Sequence, residues 1–219
     1  MTRTSIAVID YEMGNLHSAC KGLEKIGAEV TVVDRPHHLE QFDGLVLPGV
    51  GAFDPAIQSL RKHGFEEPIR EAIARRQPLL GICLGLQLLF ESSTEGVEPG
   101  LGVIPGNVER FQPEPNLTIP HMGWNTLSFT QPDIALWSDL DEQTWVYFVH
   151  SYFVHPTDPS WTAATVTHGS QTVTAAIAKD MLMATQFHPE KSASSGLQIL
   201  ANFVQLVASQ KKPEAVLAR

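Results

Sequence analysis

PLLGICLGLQLLFE, Pro78–Glu91, decides the fold of this chain. Leu79, Leu80, Gly81 and Ile82 form an apolar run of strand length, and Leu86, Leu88, Leu89 and Phe90 read as the start of a buried helix. Between the two stands Cys83, with Gly81 two residues before it and Gly85 two residues after. A reactive side chain between small residues at a strand-to-helix switch is the nucleophile-elbow pattern. The turn is tight, the glycines let backbones pass, and the side chain stands exposed above a sheet. The free N–H groups and dipole of a helix start favour a thiolate. On this stretch alone two readings of Cys83 stay open: a nucleophile, or a small apolar core residue, which most free cysteines are.

Upstream, strands alternate with helices. Ser5–Ile9 is a short apolar run ending at Asp10. Asn15 offers an N-cap to a helix whose Leu16, Ala19, Cys20, Leu23 and Ile26 recur at three- and four-residue steps. Cys20 lies on that apolar stripe and reads as core, and Gly27 stops the helix. Glu29–Val33 and Gly44–Leu47 read as strands. After them comes PGVGAF, Pro48–Phe53, then helical spacing at Ala56, Ile57 and Leu60, then a helix over Glu66–Arg76. This order predicts an α/β fold: an open, mostly parallel sheet with helices on both faces. Ligands of such sheets bind beyond the carboxyl ends of the strands, where PGVGAF and Cys83 both fall. A peptide N–H of the Gly49–Val50–Gly51 loop, with that of Leu84, could hold an oxyanion. An ordinary strand-to-helix turn explains the loop equally while it is taken alone.

Downstream, the alternation breaks. From Ser92 to about Phe129, Gly and Pro recur among short β-like runs such as Asn107–Phe111, which predicts an antiparallel excursion at one edge. Met122 and Trp124, within HMGWN, read either as a contact patch or as residues closing the core, and the core is the favoured reading. Trp145–Tyr152 reads as one strand, Trp161–Thr167 and Thr172–Ala178 as a hairpin around His168-Gly169-Ser170, and Leu182–Phe187 as the last strand. Ser194–Ser209 is an amphipathic closing helix with Leu197, Leu200, Phe203, Val204 and Val207 on one face, and the tail from Lys211 is expected to fray.

The length of 219 residues, 43% hydrophobic, suits a single domain over 1–219. A net charge of -9 argues against binding a nucleic-acid backbone. No apolar stretch approaches the roughly 18 residues of a membrane span. Two cysteines form no disulfide framework, and the start of the chain has no secretory or transit pattern, so a cytoplasmic protein is expected.

Downstream of the elbow, His188 and Glu190 stand two apart at the predicted end of the last strand, separated by Pro189. Alternate strand residues share a face, so the carboxylate can hold one ring nitrogen while the other faces a nucleophile. A surface His–Glu pair is the plainer alternative. A metal is not expected, because no other His/Cys/Asp cluster has ligand spacing. Joined to the elbow, the pair gives a Cys83–His188–Glu190 triad suited to acyl transfer through a thioester.

GICLGLQ around Cys83 and QFHPE around His188 resemble the class I (triad) glutamine amidotransferases over nearly the whole chain. DYEMGNLHSA (10–19), LPGVGAF (47–53), PHMGWN (120–125) and QFHPEKS (186–192) are similar, more narrowly, to the glutaminase subunits of imidazole glycerol phosphate synthases. The resemblance implies that Cys83 attacks the side-chain amide of L-glutamine, with His188 and Glu190 moving protons. It implies an oxyanion hole from Leu84 and the Gly49–Gly51 loop, completed by an amide flip. Gln87 and the backbone of Ser151 and Tyr152 are implied to hold the amino-acid end of glutamine. Asn15, Met122, Trp124, Tyr147 and Lys191 match positions that face a partner, a (β/α)₈ cyclase subunit receiving ammonia through a channel. No cofactor is implied. The alternatives are a glutaminase of another pathway, a γ-glutamyl or peptide hydrolase on the same fold, or a binding module without chemistry.

Overall fold

The computed structural model describes residues 3–210, so the expected fraying from Lys211 lies outside the described residues. In chain order the main elements are β1 (Ser5–Ile9), α1 (Leu16–Lys25), β2 (Glu29–Val33), β3 (Gly44–Gly49), α2 (Phe53–Lys62), α3 (Glu66–Ala74), β4 (Leu79–Cys83), the single turn α4 (Leu84–Gln87), β5 (Phe90–Ser93), β6 (Ile104–Arg110), β7 (His121–Thr126) and β8 (Ser128–Phe129). They continue with β9 (Trp145–His150), β10 (Tyr152–Pro156), β11 (Thr162–His168), β12 (Gln171–Lys179), β13 (Leu182–Thr185) and α5 (Ala193–Ser209).

The parallel half of the main sheet runs β2-β1-β3-β4-β13, and β12, β10 and β6 extend it with antiparallel pairings. Alternation along each strand sorts apolar side chains to two cores. Ile6 and Val8 pack with Leu23 of α1 and Leu200, Phe203 and Val207 of α5. Ala7 and Ile9 pack with Ile57 and Leu60 of α2 and Ile69 of α3. Register aligns the carboxyl ends: Gly49 pairs with Cys83 across β3–β4, and Thr185 pairs with Ile82 across β13–β4. Everything the next strand-to-helix turns carry is therefore delivered to one edge. Cys20 is half-buried and packs against the first core. No helix among the described residues is long and apolar enough to cross a membrane.

Three elements differ from the sequence reading. The helix after Cys83 lasts one turn, because the carbonyls of Leu88, Leu89 and Phe90 accept N–H groups of Leu101, Val103, Ile104 and Gly102 instead. Leu86, Leu88, Leu89 and Phe90 are all fully buried, so periodicity there could not separate helix from strand. The run Trp145–Tyr152 is two strands. β9 pairs with β7 in a separate small sheet and β10 joins the main one, with the change at Ser151. The last strand ends at Thr185, and Pro189–Lys191 form a 3-10 turn.

Candidate active site

Turns after β3, β4 and β13, and the β9–β10 break, enclose a cavity of about 330 Å³, at the small end of ligand sites. Cys83, Leu84, Gln87, Glu95, Ser151, Tyr152, His188 and Lys191 line it together with Val50 and Gly51. Cys83 has φ 55° and ψ −108°, a left-handed conformation that a side chain adopts only under the constraint of its surroundings. The strained elbow inferred from the spacing is present. The helix that follows is one turn long, so it offers only a small dipole, and the thiol makes no cap hydrogen bond to it.

His188 and Glu190 are brought together by a different geometry from strand alternation. His188 ends the extended segment and Glu190 sits in the 3-10 turn that follows, with His188 Nδ1 2.8 Å from Glu190 Oε1. Both side chains are almost fully buried, at 2% and 3% exposure. The backbone is clamped from a second layer: His188 N–H donates to the Tyr147 carbonyl (3.0 Å), and Ser192 Oγ donates to the His188 carbonyl (2.6 Å) while accepting the Tyr147 N–H (2.9 Å).

Burial pulls the His188 imidazole down, but its interactions with the Cys83 thiol and the Glu190 carboxylate outweigh this and push its pKa up to about 9. Nε2 makes no hydrogen bond of regular geometry, yet the ring lies within interaction range of the Cys83 thiol. Such contacts are commonly long before substrate binds. The arrangement suits a thiolate–imidazolium pair able to attack a carbonyl.

The oxyanion side is half assembled. Leu84 opens α4 at the cavity wall. Val50, in contrast, donates its N–H to the Met13 carbonyl at 2.8 Å, so this amide is not presented to a ligand. Gly51, with φ 102°, is the residue beside it able to absorb a peptide rotation. Gly49 is packed tight: a Cβ there would come within 2.5 Å of Tyr11 Oη and 2.8 Å of the Gly85 nitrogen.

Residues 7–206 match the family model Glutamine amidotransferase class-I. The chain belongs to the class I glutamine amidotransferase family. Among similar curated proteins, the imidazole glycerol phosphate synthase subunit HisH of a Synechococcus species is 66% identical over 95% of this chain and 96% of its own. HisH of Nostoc punctiforme is 66% identical over 92% of this chain and 96% of its own. Among solved structures, PurLQS from Thermotoga maritima superposes with a TM-score of 0.74 over 94% of this chain and 99% of that one. At 17% identity that likeness speaks for the fold alone.

In this amidotransferase the residues expected at the glutamine subsite come together. Gln87 is buried, and its Nε2 donates to the Tyr152 carbonyl (3.2 Å) and to Gln186 Oε1 (3.1 Å). The break at Ser151 turns the backbone of Ser151 and Tyr152 toward the cavity wall. The partner-facing set divides. Met122 and Trp124 are exposed, at 62% and 49%, which overturns the core reading. They alternate along β7 with buried His121, and Trp124 meets the ring of Tyr147 edge-on at 6.1 Å across the β7–β9 pair. A two-stranded sheet can leave one face uncovered, which a run of residue types does not reveal. Lys191 is exposed at the cavity rim. Asn15 is half-buried, and its Oδ1 accepts the Ser18 N–H (3.4 Å), as the N-cap reading expects.

Sequence reasoning missed Glu95, Gln186, Tyr11 and Ser192. Glu95 lines the cavity and accepts the Phe53 N–H at the start of α2 (2.9 Å). Tyr11 is fully buried with an unpartnered hydroxyl, and burial with the neighbouring Cys83 charge pushes its ionisation far up. None carries a spacing signal, although Tyr11, Gln186 and Ser192 lie inside segments quoted for the resemblance.

Proposed function

We propose that this chain is the glutaminase subunit of an imidazole glycerol phosphate synthase in histidine biosynthesis. The observation that carries the reading is a cavity-lining thiol on a strained elbow beside an imidazole braced by a buried carboxylate, in a chain 66% identical to HisH subunits. The Cys83 thiolate attacks the side-chain carbonyl of glutamine, forming a C–S bond. The His188 imidazolium protonates the leaving nitrogen, and ammonia departs from the glutamyl thioester. His188 then takes a proton from water, the water attacks the thioester, and glutamate leaves as the thiolate re-forms. Leu84 and a rotated Val50 peptide stabilise the oxyanion. Gln87, Ser151 and Tyr152 hold the amino-acid end, and the Glu95 carboxylate supplies a counter-charge for its ammonium group.

The partner is a (β/α)₈ cyclase subunit, and the exposed Met122–Trp124–Tyr147 face with Lys191 is its docking surface. Ammonia passes to it through a channel, because in neutral water ammonia becomes ammonium and loses its attacking lone pair. There it reacts with a phosphoribulosyl-formimino carboxamide nucleotide, giving imidazole glycerol phosphate and an aminoimidazole carboxamide ribotide. Two unpaired thiols agree with a cytoplasmic enzyme.

The test is the glutaminase rate of the subunit alone, with the cyclase, and with the cyclase plus its nucleotide ligand. With the Val50 amide engaged by Met13, the isolated subunit should be slow and the liganded complex faster by orders of magnitude. Full activity without a partner would instead indicate a stand-alone glutaminase. At the docking surface, Trp124→Ala or Lys191→Glu should leave the unfolding midpoint nearly unchanged. The tryptophan truncation should weaken cyclase binding by about 2 kcal/mol, roughly thirtyfold in Kd. Unchanged affinity and coupling in titrations would remove both residues from the interface.

A further inference from the structure

We propose that Gln186 holds the nucleophilic sulfur through an amide N–H, and that a buried chain of hydrogen bonds fixes its amide in the orientation this requires. Gln186 is fully buried, and its Nε2 lies 3.7 Å from Cys83 Sγ, within range of an N–H···S contact. The inference rests on the reading of Cys83 as the nucleophile and adds a residue outside the triad.

Directionality makes the case. The Tyr152 carbonyl can only accept. Gln87 lies 3.2 Å from it through Nε2 and so must present its NH₂ group. The same NH₂ lies 3.1 Å from the Gln186 side chain, which must meet it with oxygen, since a reversed amide would set two NH₂ groups against each other. The Gln186 NH₂ is thereby left on the sulfur side. A reversed Gln186 would aim an oxygen lone pair at a thiolate.

The Tyr152 carbonyl accepts from the other side as well. His150 Nδ1 lies 2.8 Å from the Tyr152 carbonyl and so carries the proton. Its Nε2 then accepts from His121 Nδ1 at 3.1 Å, and His121 Nε2 accepts from Asn125 Nδ2 at 3.2 Å. The other Asn125 N–H goes to the Thr167 carbonyl (2.9 Å). Protonating either imidazole would place two donors face to face. Burial accordingly pulls His121 down to about 4 and His150 to about 3, keeping both neutral. Gln87, His121 and His150 are each buried to 5% exposure or less, where an unmade hydrogen bond is costly. Gln87 acts as the positioning residue, and the His150–His121–Asn125 arm holds the Tyr152 carbonyl that orients it. Gln186 touches the reacting atom.

A neutral amide cannot carry the proton, so the role of Gln186 is to stabilise and aim a sulfur lone pair, while His188 carries the proton. The titratable groups around that sulfur are His188 with Glu190, Tyr11 after β1, and Glu95, His150 and Lys191 on the cavity wall. All remain in the variants below.

The experiment is alkylation of Cys83 by iodoacetamide across pH 5–10, followed by peptide mass spectrometry so that Cys20 is counted separately. This readout needs neither glutamine nor the partner, so it can fail while the glutaminase reading stands, and Cys83→Ala supplies the blank. Gln186→Met keeps the volume and removes the donor. It should slow Cys83 alkylation at pH 7 by about three- to tenfold and move the rate–pH curve upward, as loss of a thiolate-stabilising contact does. Gln87→Met frees the Gln186 amide to rotate and should give a smaller shift in the same direction, and it serves if Gln186→Met does not fold. Wild-type alkylation curves in a folded variant of either kind would overturn the proposal.

Discussion

Cys83→Ala in the complex should lower glutamine-dependent synthesis by about 10⁴-fold or more, the scale on which removing a covalent nucleophile acts. Synthesis from added ammonium salts at high pH should proceed at the rate of the unaltered complex. The two outcomes separate because the sulfur is needed only to release ammonia, not to use it. The substitution is well suited to the purpose. Alanine has no less trouble with φ 55° than cysteine, so the elbow keeps its strain and the fold sees no new clash. Loss of both activities would mean that Cys83 supports the structure or the interface, and retention of both would mean that the thiol is not the nucleophile. Assays with glutamine and with ammonium chloride on one preparation decide it.

Gly85→Ala should be among the most destabilising single methyls among the described residues. A Cβ at residue 85 would sit 1.9 Å from the Leu47 carbonyl oxygen and 2.9 Å from its carbon. Both are backbone atoms of β3, so no side chain can swing aside. Either the elbow or the central strand must move, and the crossing is tight from both sides, since a Cβ added at Gly49 would come 2.8 Å from the Gly85 nitrogen. Overpacking of this kind costs about 3 kcal/mol or more. The expected result is a urea midpoint lowered by more than 1 M, with glutaminase activity lost even at temperatures where the protein stays folded. A midpoint within experimental error of wild type would show that the crossing of α4 over β3 is not the constraint at this position.

Much of the parallel half was legible in the residues. Ser5–Ile9, Glu29–Val33 and Leu79–Cys83 stand where the apolar runs put them, and Asn15 caps α1 with its side-chain oxygen. Those features are local: a β-rich run, a cap and a glycine stop act within a few residues. The elbow was legible for the same reason, since G-x-C-x-G states its own backbone requirement.

What the residues could not convey is which distant backbone completes each local choice. The turn after Cys83 stops being a helix because residues 101–104 take the carbonyls it would have used. The aromatic run at 145–152 divides at Ser151 because its two ends pair with strands in different sheets. His188 and Glu190 were paired correctly, but through a 3-10 turn held by Tyr147 and Ser192 rather than by strand alternation. Gln186 gave no signal, since an amide two residues before a histidine looks like any strand residue. Its bearing on the sulfur comes from Gln87 and Tyr152, which lie 99 and 34 residues before it in the chain, respectively. The sequence by itself determined the chemistry on offer, a thiol, an imidazole and a carboxylate on a parallel-sheet chassis. Only the tertiary structure decided which amides face that chemistry, because hydrogen-bond direction in a buried site is set by partners that no local pattern encodes.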